Sequence, residues 1–442
     1  MAKIERGVIR KTLRFSFLDG VFASGMIGLT QEYFTPLLLF LGGSAREVGV
    51  LVSLPNLVAS LVQLKTIDLI RAFTTRRRVI TTFVLLQALT LLAIASLAAL
   101  GTLSVEILIM LAVLFTASGA IALPAWGSLM SDIIPVRKRG AYFGWRNSVL
   151  GVIIVCSSLA AGMLLHGMPP DRLAAGFTAV FGLACVFRLL SWAYLRHMYD
   201  PPVWHSPARK FALRGFIRTL RSSNFARFVL FVSLLNFSVN VAAPFFTVLM
   251  LRDLGFSYFE FSVVLVTATL VMYLMMRRWG RLADSIGNVR VLRFTAPIIS
   301  VIPLLWLISR HPAFLVGAQV VSGFAWAGFN LCASNFIYDA VPPDRRVRYI
   351  SYFNVLNGLM LSAGALLGGF LAGIVPPIMG YRILTVLVIS STLRIIVTAA
   401  FSFRLREVRS VVSIKSDDLF FGMLGIRPFL GVERRTIHIR NN

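Results

Sequence analysis

Two apolar runs of this chain each place a polar side chain four residues before a proline. Glu32 precedes Pro36, with Gln31 beside it, and Asn240 precedes Pro244, with Asn236 one turn earlier. Proline has no N–H, so in a helix the carbonyl four residues back loses its partner. A freed carbonyl and a polar side chain on one turn, surrounded by apolar residues, need water, a solute or a neighbouring helix. That arrangement suits recognition of a polar solute or ion. Glu32 has two readings. It could take up a proton in one conformation and release it in another. It could instead be a solvated vestibule residue of constant charge, since it lies roughly 27 Å along the helix from Arg14 at 1.5 Å per residue. Trp326 and Asn330, one turn apart with Gln319 nearby, suit an amphipathic organic solute or, equally, interhelical packing with a hydrogen bond.

Other chemistry is missing. The five histidines (His166, His197, His205, His311 and His438) fall in loops, ends or the tail, and no GxxxxGK[ST] phosphate loop is present. Cys156, Cys185 and Cys332 lie in apolar runs without CxxC spacing and read as packing residues. The expectation is no enzyme, no metal and no cofactor. Arg188 and Arg394 each sit about 15 residues in from one helix end and read as structural arginines that snorkel to the surface.

The elements that hold these residues are membrane spans. Of 442 residues, 57% are hydrophobic and the mean hydropathy is +0.80. Twelve spans of roughly 20 residues would use about 240 of them, leaving only short loops and a tail. The apolar runs predict helices over 15–41, 47–64, 79–101, 105–130, 142–166, 173–196, 226–251, 258–276, 291–309, 313–337, 349–374 and 380–403. Net charge is +26, which in a soluble chain would suggest nucleic acid. Here alternating the sides of the spans puts 37 Lys and Arg on the face of the N-terminus and five (Arg46, Arg172, Arg252, Arg310, Arg382) on the other. That is the bias of cytoplasmic loops, so both termini are expected in the cytoplasm and no nucleic-acid partner is expected. The first run is too long for a signal-peptide core and reads as an uncleaved helix.

The boundaries that follow are an N-terminal bundle at 1–196, a basic linker at 197–225, a C-terminal bundle at 226–406 and a cytoplasmic tail at 407–442. The linker carries the amphipathic stretch KFALRGFIRTLRSS, either a membrane-surface helix or a plain basic linker. The tail's short apolar patch, DLFFGMLGIRPFLG, cannot span. The eleventh run, GLMLSAGALLGGFLAG, offers a small-residue packing face.

The two halves repeat. At an offset of 207, Asp132 matches Asp339, Pro135 matches Pro342, Lys138 matches Arg345 and Arg139 matches Arg346. Tyr142 and Tyr349, Asn147 and Asn354, and Gly151 and Gly358 continue the register, making seven matches in twenty positions. Near the same offset Arg188 matches Arg394. Two six-helix halves in the same orientation are one known transporter plan.

With the segment GRLADSIGNVRVL between the eighth and ninth helices, the chain resembles the major facilitator superfamily. Gly280, Leu282, Ala283, Asp284 and Gly287 match that family's loop signature, and Arg281 and Arg290 keep the loop basic. The first-half counterpart, LKTIDLIRAFTTRRRVI, keeps only Asp68 and the basic run. The resemblance implies an all-α polytopic fold of twelve transmembrane helices in two parallel six-helix repeats. It also implies a gating role for these residues together with Asp132, Arg139, Asp339 and Arg346. It implies a monomeric secondary transporter of a small organic solute working by alternating access, with a proton as candidate coupling ion, in lipid of a bacterial inner membrane. Gln31, Glu32, Asn236, Asn240, Trp326 and Asn330 are the candidates for substrate or coupling contacts. The fifth helix lacks the glycine–proline motif of many drug antiporters in the family, which argues against drug–proton antiport. Alternatives are a lipid-moving or sensory member of the same fold, or a polytopic enzyme acting on lipid.

Overall fold

The computed structural model describes residues 6–201, 224–341, 343–401 and 404–408; side chains are described there except at 6, 67, 136–141, 343–348 and 351–352. The amphipathic stretch of the linker and the apolar patch of the tail lie outside these residues.

The described residues form twelve long helices and no strand. The first half comprises α1 (Arg6–Thr30, resuming as Phe34–Phe40), α2 (Ala45–Val62), α3 (Arg76–Ala99), α4 (Val105–Ile133), α5 (Val136–His166) and α6 (Leu173–Leu195). The second comprises α7 (Asn224–Asn240, resuming as Phe245–Val248 and the π-helical Leu249–Asp253), α8 (Tyr258–Ile286), α9 (Asn288–Val301), α10 (Pro312–Ala340), α11 (Pro343–Ile374) and α12 (Arg382–Phe401). Eleven spans are long and apolar enough to cross a membrane. The twelfth, α1, carries Asp19 and is broken at 31–33.

Two expectations are corrected. The runs expected at 15–41 and 226–251 are not continuous helices, because each breaks just before its proline. Several helices also outlast their apolar runs at the basic face. α8, expected to end at 276, continues to Ile286, since its arginine-bearing turns still satisfy the backbone. At the other face, Ser44 with Glu47 and Ser257 with Glu260 form capping boxes that start α2 and α8.

Within the first half α1 packs on α5 and α6, α2 on α4, and α3 on α4 and α6. The second half repeats this as α7 on α11 and α12, α8 on α10, and α9 on α10 and α12. The halves meet along two antiparallel seams, α2 with α11 and α5 with α8. Lipid is as apolar as leucine, so such seams rely on close packing rather than on hydrophobic burial. Gly49 illustrates this: a Cβ there would stand 2.9 Å from the Ala365 carbonyl and 3.0 Å from Gly369 Cα. This bears out the small-residue face expected on α11.

The apolar core is one cluster at the face opposite the N-terminus, where Tyr33, Leu37 and Phe177 of the first half join Phe245, Phe261 and Leu384 of the second. At the basic face each half keeps its own cluster, around Val79 and Leu129 in one and Phe228 and Phe336 in the other. The molecule is therefore closed by packing at the face away from its N-terminus.

Gly287 makes the whole connection between α8 and α9 at φ 93 and ψ 156, a backbone region almost confined to glycine. Gly287→Ala should cost about 1–3 kcal/mol and lower the apparent melting temperature of the purified protein. Gly280→Ala should change little, because its Cβ would meet only Leu331 Cδ2, at 3.7 Å. Differential scanning fluorimetry of both variants checks the pair.

Candidate functional site

The breaks in α1 and α7 are built alike. In α1 the last regular bond is Gln31 N to Ile27 O at 2.9 Å; a tighter bond from Tyr33 N to Thr30 O follows, and the helix resumes with Leu37 N to Tyr33 O at 3.0 Å. In α7, Ala242 N and Ala243 N share the Val239 carbonyl before Phe245 N turns to Ala242 O. Pro36 and Pro244 offer no N–H to the Glu32 and Asn240 carbonyls. The two short outer pieces, Phe34–Phe40 and Phe245–Val248, touch each other across the halves.

Between the broken helices lies a cavity of about 630 Å³, lined by α1, α2, α3, α4 and α7. Gln31, Glu32 and Asn240 line it, as do Asn56, Gln87, Phe34 and Phe115. A smaller cavity of about 140 Å³ between α1, α5 and α8 is also lined by Gln31 and Glu32. The Glu32 pair thus stands in the partition between two hollows. Asn236 lies outside both and donates from its amide to Asn357 Oδ1 at 2.7 Å, tying α7 to α11. Trp326 packs edge-on to Phe329 in the second-half core. Asn330 reaches Met272 Sδ at 3.8 Å, and Met272 lines the smaller cavity. The structure thus brings Gln31, Glu32 and Asn240 together and leaves Asn236, Trp326 and the exposed Asn330 outside both cavities.

Behind the larger cavity is a buried ionic network. Ser191 donates to Asp19 Oδ1 at 2.7 Å, and Arg188 donates to Ser191 Oγ at 3.2 Å and to the Gln87 carbonyl oxygen. The Gln87 amide nitrogen donates to Phe115 O at 2.9 Å. Arg146 stacks on Trp126 at 4.6 Å and donates to Ser16 O. In the second half Arg394 has no carboxylate here and instead donates to Ser390 Oγ, Ile299 O and Val239 O at 3.1–3.3 Å. Both repeat-related arginines are buried, Arg188 at 9% exposure and Arg394 at 3%. They turn inward to partners rather than snorkelling outward as expected. Asp19 was missed by sequence reasoning, although an acidic residue inside an apolar run is itself the signal.

At the basic face the motif residues act within each half. Buried Arg76, at the start of α3, donates to Asp132 at 2.6 Å, Asp200 at 3.0 Å and the Pro201 carbonyl at 3.0 Å. Arg77 N also donates to Asp200, at 2.9 Å. In the second half Asn288 donates to Asp339 at 2.8 Å and Val289 N to Glu407 at 2.8 Å. The matched Asp132 and Asp339, and the equally spaced Asp200 and Glu407, therefore pin the start of α3 and of α9. Gly280, Arg281 and Asp284 lie in the last turns of α8 and Arg290 in the first turn of α9, so most of the expected loop is helical. Asp68 meets only Lys65 of its own segment, at 4.0 Å and exposed. The side chains of Arg139 and Arg346 lie outside the described part.

Above the cavity, Tyr33 is fully buried. Its hydroxyl donates to Ser158 O at 2.5 Å and lies 2.7 Å from Ser262 Oγ of the other half. This is a polar clasp across the α5–α8 seam.

The family model described as the Major Facilitator Superfamily matches residues 17–360 and 228–435. Among curated proteins none matches the sequence. Solved structures similar in fold include a D-xylose–proton symporter (TM-score 0.71, 12% identity, 92% of this chain and 100% of that one). The nucleoside transporter NupG (0.66, 15%, 90% and 100%) is another. A bacterial homologue of the human lysosomal transporter Spinster, inward-facing and unoccupied (0.63, 15%, 92% and 100%), is a third.

Tyr33→Phe removes the clasp but keeps the ring. Losing one hydrogen bond of about 1 kcal/mol should raise the population open at the face away from the N-terminus about fivefold. Maleimide labelling of a cysteine at Thr35, in a background lacking Cys156, checks this from that face.

Proposed function

The chain belongs to the major facilitator superfamily, and from that premise we propose secondary active transport of a small organic solute through the cavity between the halves, by alternating access. One observation carries the reading: the cavity sits at paired breaks of α1 and α7, lined by polar side chains from both halves. Its closed end is a core shared by the halves, while its other end has two separate cores. Rocking the halves about the α2–α11 and α5–α8 seams would exchange which end is closed. The charge bias of the loops supports a basic face in the cytoplasm of a bacterial inner membrane, with both termini there. The conformer seen here would then be shut to the outside. We take the transporting unit to be a monomer in lipid, since the whole pathway lies within one chain.

Gln31, Glu32 and Asn240 contact the solute in this reading, and Asn236, Trp326 and Asn330 support them from behind. The gating role falls to the basic-face residues: Arg76 with Asp132 and Asp200, and Asp339 and Glu407 at α9, keep each bundle rigid as it rocks. A proton is the proposed coupling ion and Glu32 the group that carries it. Resemblance to a D-xylose–proton symporter supports this, as does the position of Glu32 between two hollows.

Purified protein in liposomes should accumulate its solute under an imposed pH gradient. Glu32→Gln should make the remaining solute movement insensitive to that gradient. Proton coupling left intact in the variant would remove Glu32 from this role.

A further inference from the structure

We propose that the solute is a small organic cation, an ammonium- or guanidinium-type group joined to an apolar body, with the Glu32 carboxylate as its counter-ion. The inference rests on the transport reading and adds the chemical class of the cargo.

The case begins with charge. Glu32 is the one carboxyl side chain lining the two cavities; Tyr273 is the other titratable group in their walls, and no Lys, Arg or His lines either. The nearest cations are held back. Arg188 is committed to Gln87, Ser191 and, by charge, Asp19, and Arg146 is folded onto Trp126. Glu32 makes no hydrogen bond or ion pair among the described residues. A carboxylate in a low-dielectric hollow without a partner is costly. A cationic solute would supply that partner.

The hydrogen-bonding capacity of the wall points the same way. Asn56 donates its amide N–H to Val52 O at 2.7 Å, and Asn240 donates to Asn236 O at 2.9 Å. Only the NH2 end of an amide can donate to a carbonyl, so each asparagine keeps its side-chain oxygen for the cavity. Gln87 has its NH2 on Phe115 O, and Thr30 has its hydroxyl hydrogen on Met26 O. One amide N–H at Asn56, Asn240 and Gln87 and the Thr30 hydroxyl hydrogen are thus spent on the protein, while the two asparagine oxygens stay free to accept. Gln31 and the threonine hydroxyls can still turn either way. Phe34 and Phe115 line the same wall with ring centroids 5.5 Å apart, faces that attract a cation and cover an apolar body. An anion would find no positive partner there.

The test uses three probes of one shape and different charge: benzyltrimethylammonium, benzyl alcohol and benzoate. They are titrated onto the full-length protein in nanodiscs of zwitterionic lipid, and binding is read by thermal stabilisation and by tryptophan quenching. The cation should bind best. Glu32→Gln should weaken it roughly tenfold or more without lowering the ligand-free melting temperature, and Glu32→Asp should recover part of the loss. Equal binding of the neutral or anionic probe, binding of no probe, or full cation affinity in E32Q overturns the inference. Cysteine labelling of the cavity from each face, without ligand, separates the two readings. If the cavity is reached from alternate faces while the cation shows no preference, only the substrate class falls. If it is reached from one face alone, transport and its cargo fall together.

Discussion

A bilayer core offers no water to a polar group, so every donor, acceptor and charge must be met inside the protein or along a wet cavity. That constraint accounts for most of the polar architecture here. Serines and threonines in the spans turn back to carbonyls of their own helix, as Thr90, Ser118 and Thr295 do. Asn56 and Asn240 use the same device with an amide. The buried arginines gather two to four partners each, and Asp19 is met by Ser191 with two arginines near it. Against this background the exceptions stand out. Glu32 and its neighbours face the cavity, and there the protein leaves polar capacity to be filled from outside.

The two halves share a frame but divide the charge. Their pairing of helices is the same, their breaks fall at matched positions, and Asp132 and Asp339 do matched work beside Asp200 and Glu407. Yet the carboxylates set well inside the spans, away from the helix ends, are Asp19 and Glu32 of the first half. The second half offers Asn236, Asn240 and Asn357, and holds Arg394 with a serine and two backbone carbonyls. On the transport reading proposed above, a duplicated scaffold would supply symmetric rocking about an asymmetric solute site. The charged side would then set what binds, and the amide side would shape it without adding charge.

Much of this is legible in the order of the residues alone. Apolar runs locate twelve helices because the lipid thickness fixes their length, and the offset of 207 locates the repeat because both copies keep the same basic-face turns. The two prolines locate the breaks because the missing N–H acts locally, whatever the fold. Residues whose partners are distant along the chain are not legible in this way. Tyr33 reads as one aromatic among many, and only the fold sets it against Ser158 and Ser262. Asp200 and Glu407 look like loop charges, because nothing local says that they reach the start of a helix over a hundred residues earlier. The signature around Gly280 is recognisable from its residues, yet it reads as a loop, since arginine-rich turns do not advertise that they stay helical.

The outer pieces of α1 and α7 are short, Phe34–Phe40 and the turns from Phe245 to Asp253, and each hangs from the rest of its helix by a few non-helical residues. A rod jointed in this way bends at its joint before its shaft moves. The outer door could then swing on two hinges while the long lower shafts stay seated. A small cargo could then trip the door before the two halves begin to rock.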